Sequence, residues 1–187
     1  MITMGIFYYD EVLMAYEASY QWDQALKYLE RLYLERRKSR VLYSLIGFSW
    51  YYLIEGPVVS KLYAADPNTM ALKIWKKYID VGVLEAYEDP FFNFIAGYTL
   101  SLHGYYIGEE YENKGSQFLK ACLSLTSNDL LQQMAENYLI NEHSDSYTPV
   151  KNRKSICARF FNGKSLLDKY FNEIYGTGDG SVSQSDR

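Results

Sequence analysis

Apolar residues recur along most of this chain at steps of three and four, the spacing that lines one face of an α-helix. Over residues 3–20 that face carries Ile6, Tyr9, Leu13, Tyr16 and Tyr20. Over residues 22–37 it carries Trp22, Ala25, Leu26, Leu29, Leu32 and Tyr33. About one residue separates the two stretches, which forces an antiparallel hairpin. The same periodicity predicts helices over 40–54, 67–81, 90–103, 109–125 and 128–142, with Thr126 and Asp129 placed to cap the last of these. A closing pair is predicted over 149–161 and 165–175, broken at the turn dipeptide Asn162-Gly163. Each proline follows a residue able to cap a helix: Gly56-Pro57, Asp66-Pro67, Asp89-Pro90 and Thr148-Pro149. Proline suits the first helical position, so each pair predicts a helix start. Few windows alternate with the two-residue period of a strand. The expected fold is all-α: stacked antiparallel helical hairpins, about eight or nine helices in one domain over 1–175. The Gly/Ser/Asp-rich stretch over 176–187 is expected to be a disordered tail.

Composition narrows the function. Apolar residues make up 48% of the 187 and charged residues 22%, too apolar for a disordered chain. Aromatic content is high, with 20 Tyr against 9 Phe and 3 Trp. Tyrosine joins a large apolar face to a polar tip, which suits half-buried seams and interfaces. A net charge of −4 argues against direct nucleic-acid binding and for a basic protein partner. The longest apolar run, 42–54, is too short to span a membrane and contains Ser44 and Ser49. Residues 1–6 lack the basic and apolar regions of a secretory signal, so a cytoplasmic protein is expected. Cys122 and Cys157 have no metal or redox spacing and read as small core residues.

Tyr9, Val12, Leu13, Tyr16, Ala25, Leu29 and Leu32 resemble the tetratricopeptide repeat pattern. The stretch Gln21 to Tyr28 is similar to the turn and second-helix start of that repeat, where a small residue such as Ala25 lets two helices pack closely. Tyr43, Ile46, Gly47 and Trp50, with Ala71, Trp75 and Tyr78, resemble a second unit carrying an insertion. Gly97 and Leu100, with Gly115, Leu119 and Cys122, resemble a third. Arg37 stands where a unit usually closes on proline. The likeness runs from about Tyr9 to Leu125. It implies a concave, partner-binding surface lined by Asp10, Met14, Glu17, Ser44, Phe48, Tyr51, Phe94, Tyr98 and Ser101.

Chemistry has little to stand on, and no enzyme, cofactor or metal site is expected. The histidines, His103 and His143, share no ligand spacing, and His103 reads as a cap at a helix C-terminus. Gly176 to Gly180 follows a helix, whereas a phosphate-binding glycine loop follows a strand. Binding has more. From Ile79 to Asn113 there are seven acids, Asp80, Glu85, Glu88, Asp89, Glu109, Glu110 and Glu112, with no Lys or Arg. Eight aromatic residues share the stretch, including Tyr87, Tyr98, Tyr105 and Tyr106. Rings beside a one-sign rim suit an interface with a cationic protein. The segment from Asp89 to Leu102 is similar to helical immunity proteins of contact-dependent growth inhibition systems. That resemblance implies an inhibitor that binds a toxin domain, often a nuclease, in a toxin–immunity pair. The residues expected to meet the partner are Glu85, Glu88, Tyr98, Tyr105, Tyr106, Glu109, Glu110 and Glu112, with Asp10, Glu17 and Tyr51 from the concave surface. The alternative reading is a peptide-binding adaptor or secretion chaperone that uses the concave groove.

Overall fold

The computed structural model describes residues 5–60, 68–141, 160–161 and 164–176. Among them the regular structure is helical, with no strand. The helices are α1 (Glu11–Ala18), α2 (Trp22–Arg36), α3 (Ser39–Ser60), α4 (Asn68–Glu85), α5 (Pro90–His103), α6 (Glu109–Glu112), α7 (Lys114–Leu125), α8 (Asp129–Asn141) and α9 (Leu166–Gly176). A single 3₁₀ turn, Gly104–Tyr106, joins α5 to α6. Pro67, Pro149, His143, Cys157, the Asn162-Gly163 turn, most of the helix expected over 149–161 and the tail beyond Gly176 lie outside the described residues.

Local chemistry explains the helix ends. Asp10 is the N-cap of α1, its carboxylate accepting from the Leu13 amide at 2.8 Å. The first helix therefore starts at Glu11 rather than at residue 3, and the segment before it leaves the helical path. Phe7 drops into the core, and the Ile6 amide donates to the Phe160 carbonyl at 2.9 Å. Asp89 caps α5, accepting from the Phe91 amide at 2.9 Å, with Pro90 at the first helical position. Pro57 breaks the expectation: α3 runs through it to Ser60, so it lies in the final turn and does not start a helix. It lacks the amide hydrogen that would bond the Leu53 carbonyl, and the helix ends three residues later. The helix expected over 109–125 is two, α6 and α7, meeting at Asn113. Gly176, expected in the tail, is the last residue of α9.

Helices α1 to α4 pack each on the next, α1 on α2, α2 on α3 and α3 on α4; α5 packs on α7 and α7 on α8. Contacts between non-consecutive helices also form, α2 with α4, α3 with α5 and α5 with α8. The six apolar positions read for α2 are its buried face. Helices α5 and α7 approach closely because two glycines oppose the partner backbone. A β-carbon at Gly97 would stand 2.9 Å from the Leu119 nitrogen, and one at Gly115 would strike the backbone of Ser101.

The last helix lies across the row formed by α3 and α5. Ser165 and Asp168 make a reciprocal cap at its start: the Asp168 amide donates to Ser165 Oγ at 3.0 Å, and the Ser165 amide to the Asp168 carboxylate at 3.3 Å. Gly47 admits the helix, since a β-carbon there would meet Leu167 Cδ1 at 3.0 Å. Phe171 is fully buried, with its ring 5.0 Å from Phe161, 5.1 Å from Tyr98 and 5.6 Å from Phe7. Tyr170 packs edge-on against Trp50 at 5.3 Å and Tyr51 at 5.5 Å.

Candidate functional site

That position of α9 corrects the concave-surface expectation. Ser44, Phe48, Phe94 and Tyr98 are interior residues, and Tyr98 keeps only 3% of its surface. Its hydroxyl lies 3.3 Å from that of Tyr170 on α9. Glu17, expected to meet a partner, is buried too, accepting from the Leu166 amide at 3.2 Å at the start of α9. Burial raises its carboxyl to about 7, with the neighbouring Asp168 carboxylate pushing the same way. Tyr51 is half-buried between Trp22 and Tyr170. Asp10 remains partly open, but its carboxylate is occupied: besides the α1 cap it accepts from the hydroxyls of Tyr8 and Tyr28, each at 2.5 Å. Helix α9 covers Tyr98 and Glu17. Periodicity could not have revealed this, because it shows which face of a helix is apolar and not what covers it.

The acidic, aromatic stretch divides differently. Phe92, Phe94, Tyr98 and Tyr111 are core, and Phe91 is half-buried. Tyr87, Tyr105 and Tyr106 face solvent at 53%, 57% and 52% exposure. Tyr105 and Tyr106 pair at 4.5 Å, and the His103 ring stacks on Tyr106 at 5.8 Å. His103 is more than a helix cap: its Nδ1 accepts from the Trp50 indole at 3.0 Å, and burial holds its pKa below the usual value. The imidazole is therefore a neutral acceptor that ties α5 to α3.

The stretch has no basic residue of its own, but other helices bring three. Arg37 pairs with Glu85 at 2.6 Å and Lys76 with Glu110 at 3.3 Å. The Lys114 ammonium lies 4.1 Å from the centre of the Tyr111 ring. Glu88 and Glu109 are exposed, whereas the Glu112 side chain falls outside the described residues. Both ion pairs sit in solvent, where such pairs contribute about 0–1 kcal/mol.

Tyrosine does what basic residues do elsewhere. Tyr111 donates to Asp80, Tyr43 to Asp89, and Tyr33 to Glu85 at 2.6 Å. Beyond the stretch, Tyr78 donates to Glu30 at 3.1 Å and Tyr52 to Asp23 at 3.2 Å. A phenol satisfies a carboxylate without cancelling its charge. Burial and the adjoining acid together push the Tyr33 hydroxyl up to about 12, so it stays a donor. The tyrosines thus join helices through carboxylates while leaving the surface anionic. Composition signalled the abundance of tyrosine; the pairing partners, up to 52 residues apart in the chain, needed the fold.

One corner gathers these features. A cleft of about 810 Å³ is lined by Ser39 at the start of α3, Leu84 and Glu85 at the end of α4, the turn from Ala86 to Asp89, and Pro90 and Phe91 on α5. Leu84, beside Glu85 on its rim, is 86% exposed, the most open large apolar side chain among the described residues. The turn is held by Asn93, whose amide nitrogen donates to the carbonyls of Tyr87 at 2.6 Å and Asp89 at 2.9 Å. Sequence reading missed Leu84 and this cleft; an apolar residue at a helix end beside acids was the available signal.

No helix among the described residues is long and apolar enough to cross a membrane, and no group of three or more His, Cys, Asp or Glu side chains there is placed to hold a metal ion. Cys122 is buried and its thiol is pushed up to about 12, chiefly by burial, which leaves it unreactive. No protein-family model, curated protein or solved structure matches the chain.

Proposed function

We propose that this protein is a binding module that docks a basic protein partner and neutralises it, as an immunity protein does to a toxin domain, with a nuclease domain as the leading target. The observation that carries this reading is the corner between α4 and α5. Exposed Leu84 and Tyr87 stand beside the Glu85, Glu88 and Asp89 carboxylates, and the phenols of Tyr33 and Tyr43 hold two of those acids in place without discharging them. Open apolar area beside fixed like charge is the composition of an interface for a cationic protein. The exposed Tyr105–Tyr106 pair, with Glu109 and Glu110 beside it, extends the same character toward the far end of α5.

Helix order supports a tetratricopeptide-like stack as the frame, because α1 to α4 pack each on the next and contacts two helices on form between α2 and α4 and between α3 and α5. The adaptor reading, in which a peptide enters a concave groove, loses support because α9 and its aromatic residues occupy that place.

The test uses the full chain and the small basic domain of a secreted protein encoded beside it. Titration calorimetry at two salt concentrations should show a complex that weakens as salt rises, and the domain's nucleic-acid cleavage should stop. Charge reversal at Glu85, Glu88 and Glu109 should abolish the complex. Absence of a complex, or one indifferent to both salt and charge reversal, overturns the proposal.

A further inference from the structure

The docking reading leaves open what enters the cleft at the α4–α5 corner, and the charges around it decide that. Helix N-termini attract anions, and α3 and α5 both begin at this cleft. At α5 the attraction is spent. Asp89 accepts from the Phe91 amide and brings its own negative charge, and Pro90 has no amide hydrogen to offer. The C-terminus of α4, which ends at Glu85, adds the partial negative charge of its last carbonyls. The full charges of Glu88 and Asp89, with the Arg37-paired Glu85, outweigh the partial positive charge at the start of α3, and the cleft is a seat for a cation.

The molecule also shows which cation fits beside Glu85. Arg37, in left-handed conformation at φ 46°, places its guanidinium 2.6 Å from Glu85 and 5.3 Å from the centre of the Tyr33 ring. That conformation is unfavourable for a non-glycine residue, and here the pairing accompanies it. A planar guanidinium satisfies both a carboxylate and a ring face, which a compact ammonium does less well. Tyr87 and Glu88, exposed in the turn after Glu85 and lining the same cleft, offer a second ring and carboxylate with no such occupant among the described residues.

Building on the docking function, we propose that the cleft takes an arginine side chain from an apolar-flanked segment of the basic partner. Glu88 and Glu85 receive the guanidinium, the Tyr87 ring flanks it, and Leu84 covers the neighbouring apolar residue. Arg37 is the internal competitor for Glu85.

Amide NMR of the full chain tests this without the natural partner. The probe is the peptide acetyl-Gly-Leu-Arg-Leu-Gly-amide, with its lysine and citrulline counterparts as controls. The arginine peptide should shift amides over 84–91, the lysine peptide should bind more weakly and the uncharged citrulline peptide should leave them still. E88Q should weaken binding about threefold or more, and R37Q, which frees Glu85, should strengthen it by a similar factor. Both substitutions lie on the exposed surface, and an unchanged melting temperature verifies the fold. Shifts scattered over other surface acids, shifts centred on 105–110, equal binding by citrulline, or weaker binding in R37Q would each overturn the proposal. If the peptide seats in the cleft but no basic domain forms a complex, the docking function fails and the cleft stands. If a complex forms while the peptide perturbs nothing over 84–91, the cleft fails and the function stands.

Discussion

Two regions of this molecule use the same residue types to opposite ends. Where α9 meets α3 and α5, its Tyr170, Phe171 and Tyr175 pack ring against ring with Trp50 and Tyr98, and Glu17 is buried at the edge of that seam. At the α4–α5 corner, Tyr87 and Leu84 stand in water beside Glu85 and Glu88. The difference lies in what covers each site. A helix lies over the first, so its rings gain burial and its carboxyl is pushed toward the neutral form. At the second, Leu84, Tyr87 and Glu88 keep exposed surface, and Glu85 is paired with Arg37.

The largest effect expected from breaking this contrast is at Phe171. Phe171→Ala should empty the centre of the covered seam and cost about 3–5 kcal/mol, read by urea unfolding. A loss under about 1 kcal/mol would mean that α9 contributes little to the fold. Next comes Glu17. Its folded-state pKa of about 7 exceeds the 4.5 of a free carboxyl, so the folded protein holds the extra proton between those values. Stability must then fall as pH rises through that window, by on the order of 3 kcal/mol in all. Glu17→Gln should remove that part of the pH dependence between pH 5 and 8, whereas Glu88→Gln at the open corner should not. Equal slopes in the native protein and Glu17→Gln would sink the assignment.

Smaller effects sharpen the role of the phenols. Tyr43→Phe removes the donor to Asp89, a hydrogen bond to a charged group, and should cost about 1.5–3 kcal/mol in the same unfolding measurement. The smallest change in stability belongs to the open corner. Leu84→Ala and Tyr87→Ala should each stay within about 0.5 kcal/mol of the native protein while weakening its complex with a cationic domain. A marked loss of stability from either would make these residues structural, and the contrast between covered and open faces would collapse.

Much of the fold was legible along the chain. The apolar face of α2 and the start of α5 at Asp89-Pro90 follow from period and capping. Helix α1 was read too long because Asp10, its true cap, sat inside an apolar repeat that Ile6 and Phe7 leave to enter the core. The candidate site was legible as a stretch of chain but not as a surface. Only the repeat resemblance put Glu17 and Tyr98 on an open surface, and a helix about 150 residues after Glu17 covers them.

What the sequence determined by itself was local: helix periodicity, caps, and an acidic composition rich in tyrosine, all set by residues a few positions apart. Only the tertiary structure decided which tyrosines became core, which carboxylates a distant phenol would hold, and that α9 would close one face and leave the α4–α5 corner open. The physical reason is that burial and hydrogen-bond pairing depend on neighbours in space, and no spacing along the chain specifies those neighbours.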